Sequence, residues 1–400
     1  MSRFFTTFLF IGSLISSVLW SLPHALIAVS EWKVDYRFGE QAVFHARIQY
    51  DSPIQRVFLS YQSEGKQVQV LPVEASSTGE INTTLTLRPG VLRPFSTVSY
   101  WFSITPQKGE VYTSPKYTFF YEDNRFNWQT LKSSLFVVHW VEGDLSFAQK
   151  VQNTAQAGLK EIQNVIPVSQ PDKPVDIYIY SHVDDLQSAS DLGGFSWIAW
   201  SASPDLGVVL VSIPPGPDQQ LLMDQQVPHE LAHVLTYKYT GPGYAKLPAW
   251  LAEGIASLAE LNPNGDYAYT LEVAKKGNSF IPMQELCQAI PRDASRAFLA
   301  YAQADSFSRY LLTTYGTPGM LKLIQNYQDG LGCSEGAQAS FGLPLNVLEY
   351  NWKQKALQID LIGLVLQKSL PYLFLVGIII AVPLISFVFA RRKAPSPSTR

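Results

Sequence analysis

Two histidines four residues apart, His229 and His233, bracket a glutamate in the run His229-Glu230-Leu231-Ala232-His233. On a helix, positions four apart stand one above the other, so both imidazoles can address a single ion. Glu230 is rotated about 100° from His229, which makes it a poor third ligand but lets it reach a water beside that ion. A second acid must complete such a set. Glu253 follows His233 by twenty positions, in Trp250-Leu-Ala-Glu-Gly, enough chain to turn round and begin an antiparallel helix. Two neutral imidazoles and one carboxylate leave a zinc ion a fourth position for water, whose pKa falls to about 7. The chemistry that follows is metal-assisted hydrolysis, with Glu230 as general base.

The elements that must position these groups are partly legible. Leu231, Ala232, Val234 and Leu235 surround the histidines with apolar groups, as in a buried helix, which we place at about 218–239. Pro228 interrupts it: an interior proline removes a helix bond, so the spacing predicts a restart at Pro228 or a kink just before His229. Glu253 lies in Leu247-Pro-Ala-Trp-Leu-Ala-Glu-Gly-Ile-Ala-Ser-Leu-Ala-Glu260, where Pro248 suits a first helical turn. An acid among apolar residues needs a partner to stay charged, and a cation held by the two histidines is that partner.

Residues 229–260 resemble the gluzincins of the peptidase MA clan, in which two helix histidines and a downstream glutamate bind zinc; the likeness extends more loosely over 124–358 and is to peptidase MA-like families of bacterial extracytoplasmic proteins. The resemblance implies His229, His233 and Glu253 as Zn2+ ligands and Glu230 as general base. It also implies an added donor for the oxyanion, for which Tyr301, in Phe298-Leu-Ala-Tyr-Ala-Gln, is the candidate. An edge strand beside the cleft pairs with extended substrate in such enzymes, and the resemblance implies Val208–Ser212 for that place, with ordinary sheet core as the alternative. Two departures stand out. Thermolysin-like members carry an aspartate four residues after the ligand glutamate, where this chain has Ser257, so the partner that orients the first histidine must come from elsewhere. The aminopeptidase run Gly-x-Met-Glu-Asn is absent, which favours an endopeptidase.

Composition sets the frame. The chain has 400 residues, 46% hydrophobic and 13% aromatic, with 16% charged residues and a net charge of −3. That length allows two domains and accessory segments. No basic stripe exists to neutralise phosphates, so a nucleic-acid partner is not expected; the expected partners are a protein or peptide substrate and a membrane. Residues 1–28, with Arg3 ahead of an apolar stretch and small residues at Ala25 and Ala28, read as a signal peptide. Leu370 to Ala390 carries no charged side chain and precedes Arg391-Arg-Lys393. At about 1.5 Å per residue it is long enough to cross a bilayer, with the cationic tail 391–400 in the cytoplasm. The expected location is the plasma membrane, single-pass, with the bulk of the chain outside the cytoplasm. Cys287 and Cys333 both fall in that outer part, where a disulfide is permitted though spacing does not prove it.

Residues 29–123 alternate apolar and polar positions in about seven short strands punctuated by turn-formers such as Asp51-Ser-Pro53, Pro89-Gly90 and Lys108-Gly109. This predicts a β-sandwich of fibronectin or immunoglobulin type without a catalytic cluster. From 124 the period changes: strands at 134–141 and 174–181, a helix at 145–165, a hairpin at 196–212, then helices at 293–314, 318–327 and 344–357. The expected fold class is therefore multidomain: an all-β sandwich, an α+β zincin-like peptidase domain over 124–358, and a transmembrane helix at 370–390. The rival reading is a cell-surface binding or assembly protein whose peptidase-like domain is silent, motivated by the sandwich and by Ser257.

Overall fold

The computed structural model describes residues 27–51, 53–108, 110–190, 200–359, 369–370 and 372–384. The chain divides into two compact units between Arg125 and Phe126.

The first unit is two antiparallel sheets. Strands β1 (Ile27–Arg37), β2 (Gln41–Tyr50) and β5 (Glu80–Thr86) form one, in the order β1-β2-β5; β3 (Ile54–Ser63), β4 (Gln69–Val73), β6 (Ser96–Pro106), β7 (Tyr112–Thr113) and β8 (Tyr117–Tyr121) form the other, in the order β4-β3-β6-β7 with β8 also on β6. The alternation in the sequence is the cause. Ala42, Phe44, Ala46 and Ile48 of β2 are buried, as are Val98, Tyr100, Phe102 and Ile104 of β6, while the residues between them are more open. The rings of Phe44 and Tyr100, from different sheets, stand 5.2 Å apart, so the apolar faces meet as a sandwich. Strand β1 begins at Ile27, with Ala28 opposite Gln49; the remainder of the expected signal segment lies outside the described residues.

The second unit has a five-stranded mixed sheet in the order β12-β13-β11-β10-β9, from β9 (Gln129–Lys132), β10 (Phe136–Trp140), β11 (Val175–Tyr180), β12 (Trp200–Ser203) and β13 (Val208–Ser212). Strands β10, β11 and β13 are parallel neighbours. Helix α1 (Leu145–Gln163), capped by the Asp144 side chain, crosses from β10 to β11, and α2 (Val183–Ala189) follows β11. Helices α3 (Gln219–Thr240), α4 (Ala249–Leu258), α5 (Asp266–Gly277), α6 (Ala294–Gln328), α7 (Cys333–Phe341) and α8 (Leu345–Lys355) complete the unit. The two helices expected at 293–314 and 318–327 form α6, which departs from helical geometry at Gly316, φ 67°, a left-handed position suited to glycine.

Two expectations are corrected. Among the described residues no helix is long and apolar enough to cross a membrane, which corrects the transmembrane helix expected at 370–390; the described fold is a β-sandwich-like unit and an α-rich unit. Of that stretch, residues 370 and 372–384 are described, as helix; residues 371, 385–390 and the tail 391–400 lie outside the described residues. Second, Val208–Ser212 is not an edge: β13 pairs with β11 on one side and β12 on the other, and all five residues are buried. It is sheet core, because the expected hairpin folds β12 over its open side. Of the two outcomes expected at Pro228, a restart or a kink, the restart does not occur: α3 is one helix that runs through the proline.

Candidate metal centre

Proline 228 explains more than its own tolerance. Its missing N–H would have bonded the carbonyl of Asp224, one turn back. That carbonyl accepts instead from the N–H of Leu261, at 2.9 Å, which belongs to the chain leaving α4. A buried carbonyl left without a donor is costly, so the gap in α3 becomes the place where the end of α4 is fastened. On the opposite side Gly158 of α1 receives the proline ring: a Cβ at 158 would come within 2.7 Å of Pro228 Cβ. The helix is thus wedged between α1 and the exit of α4 at the turn that begins His229.

The residue before Leu261 is Glu260, and the fastening sets its carboxylate against α3. Nδ1–H of His229 donates to Glu260 Oε1 at 2.9 Å, which turns Nε2 of the same ring towards Glu253 Oε2, 3.3 Å away. His233 is held in the same manner. The 3-10 turn Gly241–Lys246 after α3 carries Tyr244, whose hydroxyl accepts from His233 Nδ1–H at 2.8 Å; Nε2 of His233 then lies 3.6 Å from Glu253 Oε2. That turn is pinned to the end of α6, where Gln328 donates to the carbonyl of Thr240 and accepts from Lys246 through its own carbonyl. Nε2 of both rings therefore faces one and the same carboxylate oxygen.

The donor atoms of His229, His233 and Glu253 all lie within 4.8 Å of one another. Ligands about 2.0–2.1 Å from a tetrahedral zinc stand roughly 3.3 Å apart; the separations of 3.3 and 3.6 Å from Glu253 match that spacing. Two imidazoles and a carboxylate, each imidazole anchored through its other nitrogen, are the donor set and the outer support that zinc favours. The residues fit the ion.

Burial sharpens the electrostatics. His229 is buried, which alone would disfavour its charged form, yet the Glu253 and Glu260 carboxylates on its two nitrogens raise its pKa well above the ordinary 6.5. Burial works against the Glu253 carboxylate too, but His233 and His229 hold its pKa far below the usual range. Glu230 is 3% exposed; burial raises its pKa, with the two imidazoles opposing, so it is a stronger base than an exposed carboxylate. Tyr301, on α6, stands with its ring centroid 6.4 Å from that of His229. Burial, then Glu253 and Glu230, push its phenol well above 10, so it keeps its proton and remains a donor.

All five expected residues, His229, Glu230, His233, Glu253 and Tyr301, are thus gathered in one place. The sequence reading missed Glu260 and Tyr244. Glu260 carried a signal: seven residues after Glu253, nearly two full turns, it falls on the same side of the segment. The fourth position after Glu253 is Ser257, which is fully buried. Tyr244 carried none, because a 3-10 turn pinned by a distant glutamine has no local pattern. Helix α4 approaches α6 closely at Gly254, where a Cβ would come within 2.7 Å of the Ala304 carbonyl oxygen, and this close packing places Glu253 beside Tyr301.

The profile of the Peptidase MA superfamily matches residues 154–358. No curated protein matches the chain. Among solved structures, a carbohydrate-binding module family 56 β-1,3-glucan binding domain is 12% identical, with 23% of this chain and 98% of that one covered and a TM-score of 0.18. The laminaripentaose-producing β-1,3-glucanase of Paenibacillus barengoltzii is 10% identical over 30% of this chain and 27% of that one, at 0.18. Cwp6 from Clostridium difficile is 10% identical over 61% of this chain and 48% of that one, at 0.16. Likenesses at such TM-scores support no conclusion about fold or activity.

Proposed function

The chain belongs to the Peptidase MA superfamily, and from that premise we propose that it is a zinc-dependent peptidase that cleaves within protein or peptide substrates. The observation that carries this reading is the convergence of His229 Nε2 and His233 Nε2 on one oxygen of Glu253, with Glu230 one residue from the first ligand. A zinc ion bound by these three side chains would polarise the substrate carbonyl and acidify water for attack. Glu230 would take the proton of the attacking water and hand it to the leaving amine. The Tyr301 hydroxyl would donate to the oxygen of the tetrahedral species. Glu260 and Tyr244 keep the imidazoles oriented and do not touch substrate.

The lack of a Gly-x-Met-Glu-Asn run to hold a free amine supports action within chains. An extracytoplasmic location is part of the proposal and is supported by the bond between Cys287 and Cys333, since disulfides persist in oxidising compartments. The test is metal analysis of the purified chain together with peptide-library digestion with and without chelator. Stoichiometric zinc and chelator-sensitive internal cleavage are expected; a chain that neither retains nor is rescued by zinc refutes the reading.

A further inference from the structure

Beside the metal centre a cavity of about 620 Å³ opens between α5 and α6, bounded by Tyr267, Val273, Ala274, Phe298, Leu299 and Tyr301. The remaining lining residues are small or polar, and none of the lining residues is an acid, a base or a histidine. Its volume falls in the range of about 300–1,000 Å³ typical of ligand pockets. The rings of Tyr267 and Phe298, 5.3 Å apart, form an aromatic floor, and Val273, 49% exposed, stands at the mouth. Tyr301 belongs to both places: it lines the cavity, and its ring lies 6.4 Å from the His229 ring. One wall of the metal centre is therefore one wall of the cavity.

We infer that this cavity receives a large, uncharged apolar side chain of the substrate next to the bond presented to the metal centre, so that the preferred substrates are polypeptides with phenylalanine, tyrosine or leucine flanking the cleaved bond. The inference rests on the peptidase reading for the word substrate. The physical reason is selection by desolvation. An aromatic or branched side chain exchanges water for Phe298, Leu299 and Tyr267. A carboxylate or ammonium entering the same space finds no opposite charge, and burying an unpaired charge is costly. Alanine fills too little of the volume.

Two measurements on the full-length chain test this separately from the activity. The first uses the zinc-loaded protein and matched quenched peptides that differ only at one position flanking the cleaved bond. Phenylalanine or leucine is expected to exceed alanine by about 10–200-fold in kcat/KM, the range for apolar pocket selection, with glutamate and lysine at or below alanine. Val273→Lys, at the exposed mouth, is expected to raise the glutamate-to-phenylalanine ratio at least tenfold by supplying the missing opposite charge. Leu299→Trp, which fills the cavity, is expected to abolish the phenylalanine preference. Equal rates across the set, or a Val273→Lys protein with an unchanged ratio, overturn the inference while leaving a peptidase standing. The second measurement needs no turnover. Saturation-transfer NMR on metal-free protein is expected to show N-acetyl-phenylalanine amide binding at least tenfold more tightly than N-acetyl-glutamate amide, with the difference lost in Leu299→Trp. No difference overturns the cavity's role; such binding together with no peptide cleavage by the zinc-loaded protein sustains the cavity and refutes the peptidase reading.

Discussion

Glu260 holds His229 across 2.9 Å, and it does so from the position immediately before the residue whose N–H fills the hydrogen-bond gap left by Pro228. A helix defect in one element is thereby converted into the orientation of a ligand. Partners of this kind tune affinity rather than touch substrate. Glu260→Ala should lower zinc affinity about 10–100-fold, measured by competition with a chelator of known affinity. Tyr244→Phe should cost less, because it removes a neutral hydroxyl and not a charge. Unchanged affinity in Glu260→Ala would show that the carboxylate does not orient the ring.

Glu230→Gln keeps the shape of the side chain and removes its basicity. Zinc content should stay at the wild-type level while kcat falls by about 10²–10⁴-fold. Tyr301→Phe should likewise keep its zinc and lose about 10²–10³-fold in kcat, the cost of one oxyanion donor. A Tyr301→Phe protein that turns over normally would assign the hydroxyl a packing role only.

Gly254→Ala pushes a methyl group at the backbone of α6 through the Ala304 carbonyl. Overpacking of this kind costs about 1–3 kcal/mol, and because Glu253 is the adjoining residue, zinc affinity should fall with stability. Chemical denaturation with and without zinc separates the two losses. A substitution with no effect on either would mean that α4 has room to shift.

In metal-free protein the proton on His229 lies between Glu253 and Glu260. Its folded pKa is raised above 6.5, so the stability this contributes is fully present below about 6.5 and is lost as pH rises through the folded value. Thermal melts in chelator from about pH 5 to about pH 9 should therefore show falling stability on the alkaline side, a loss that zinc suppresses because the ion replaces the proton. Calorimetry in buffers of different ionisation heat should record proton release on zinc binding near neutral pH, and release of none would contradict the protonated state.

The bond between Cys287 and Cys333 spans 46 residues, tying the segment after α5 to the start of α7. By loop-closure entropy it contributes about 4 kcal/mol. Reduction should lower the unfolding midpoint in denaturant while zinc remains bound under native conditions, since neither sulfur belongs to the metal cluster. Loss of zinc on mild reduction would tie the bond to the centre itself.

The sequence by itself determined what depends on local spacing. His229 and His233 share a helix face whatever surrounds them, Glu230 is turned away from that face, and the alternation through residues 29–123 can bury one side only by pairing sheets. Glu253 was legible because an acid in an apolar segment needs a counter-charge. Only the tertiary structure decided which groups hold the rings, where strand β13 lies in its sheet, and that Cys287 reaches Cys333. Those outcomes depend on contacts between residues far apart in the chain: Leu261 with Asp224, Gln328 with Thr240, Gly254 with Ala304. Local pattern encodes the face a residue presents, whereas the partner it meets is set by how whole elements pack, and no spacing rule carries that information. Residues 370–390 mark the same limit from the other side, since hydropathy alone suggested a span that no described helix is long and apolar enough to make.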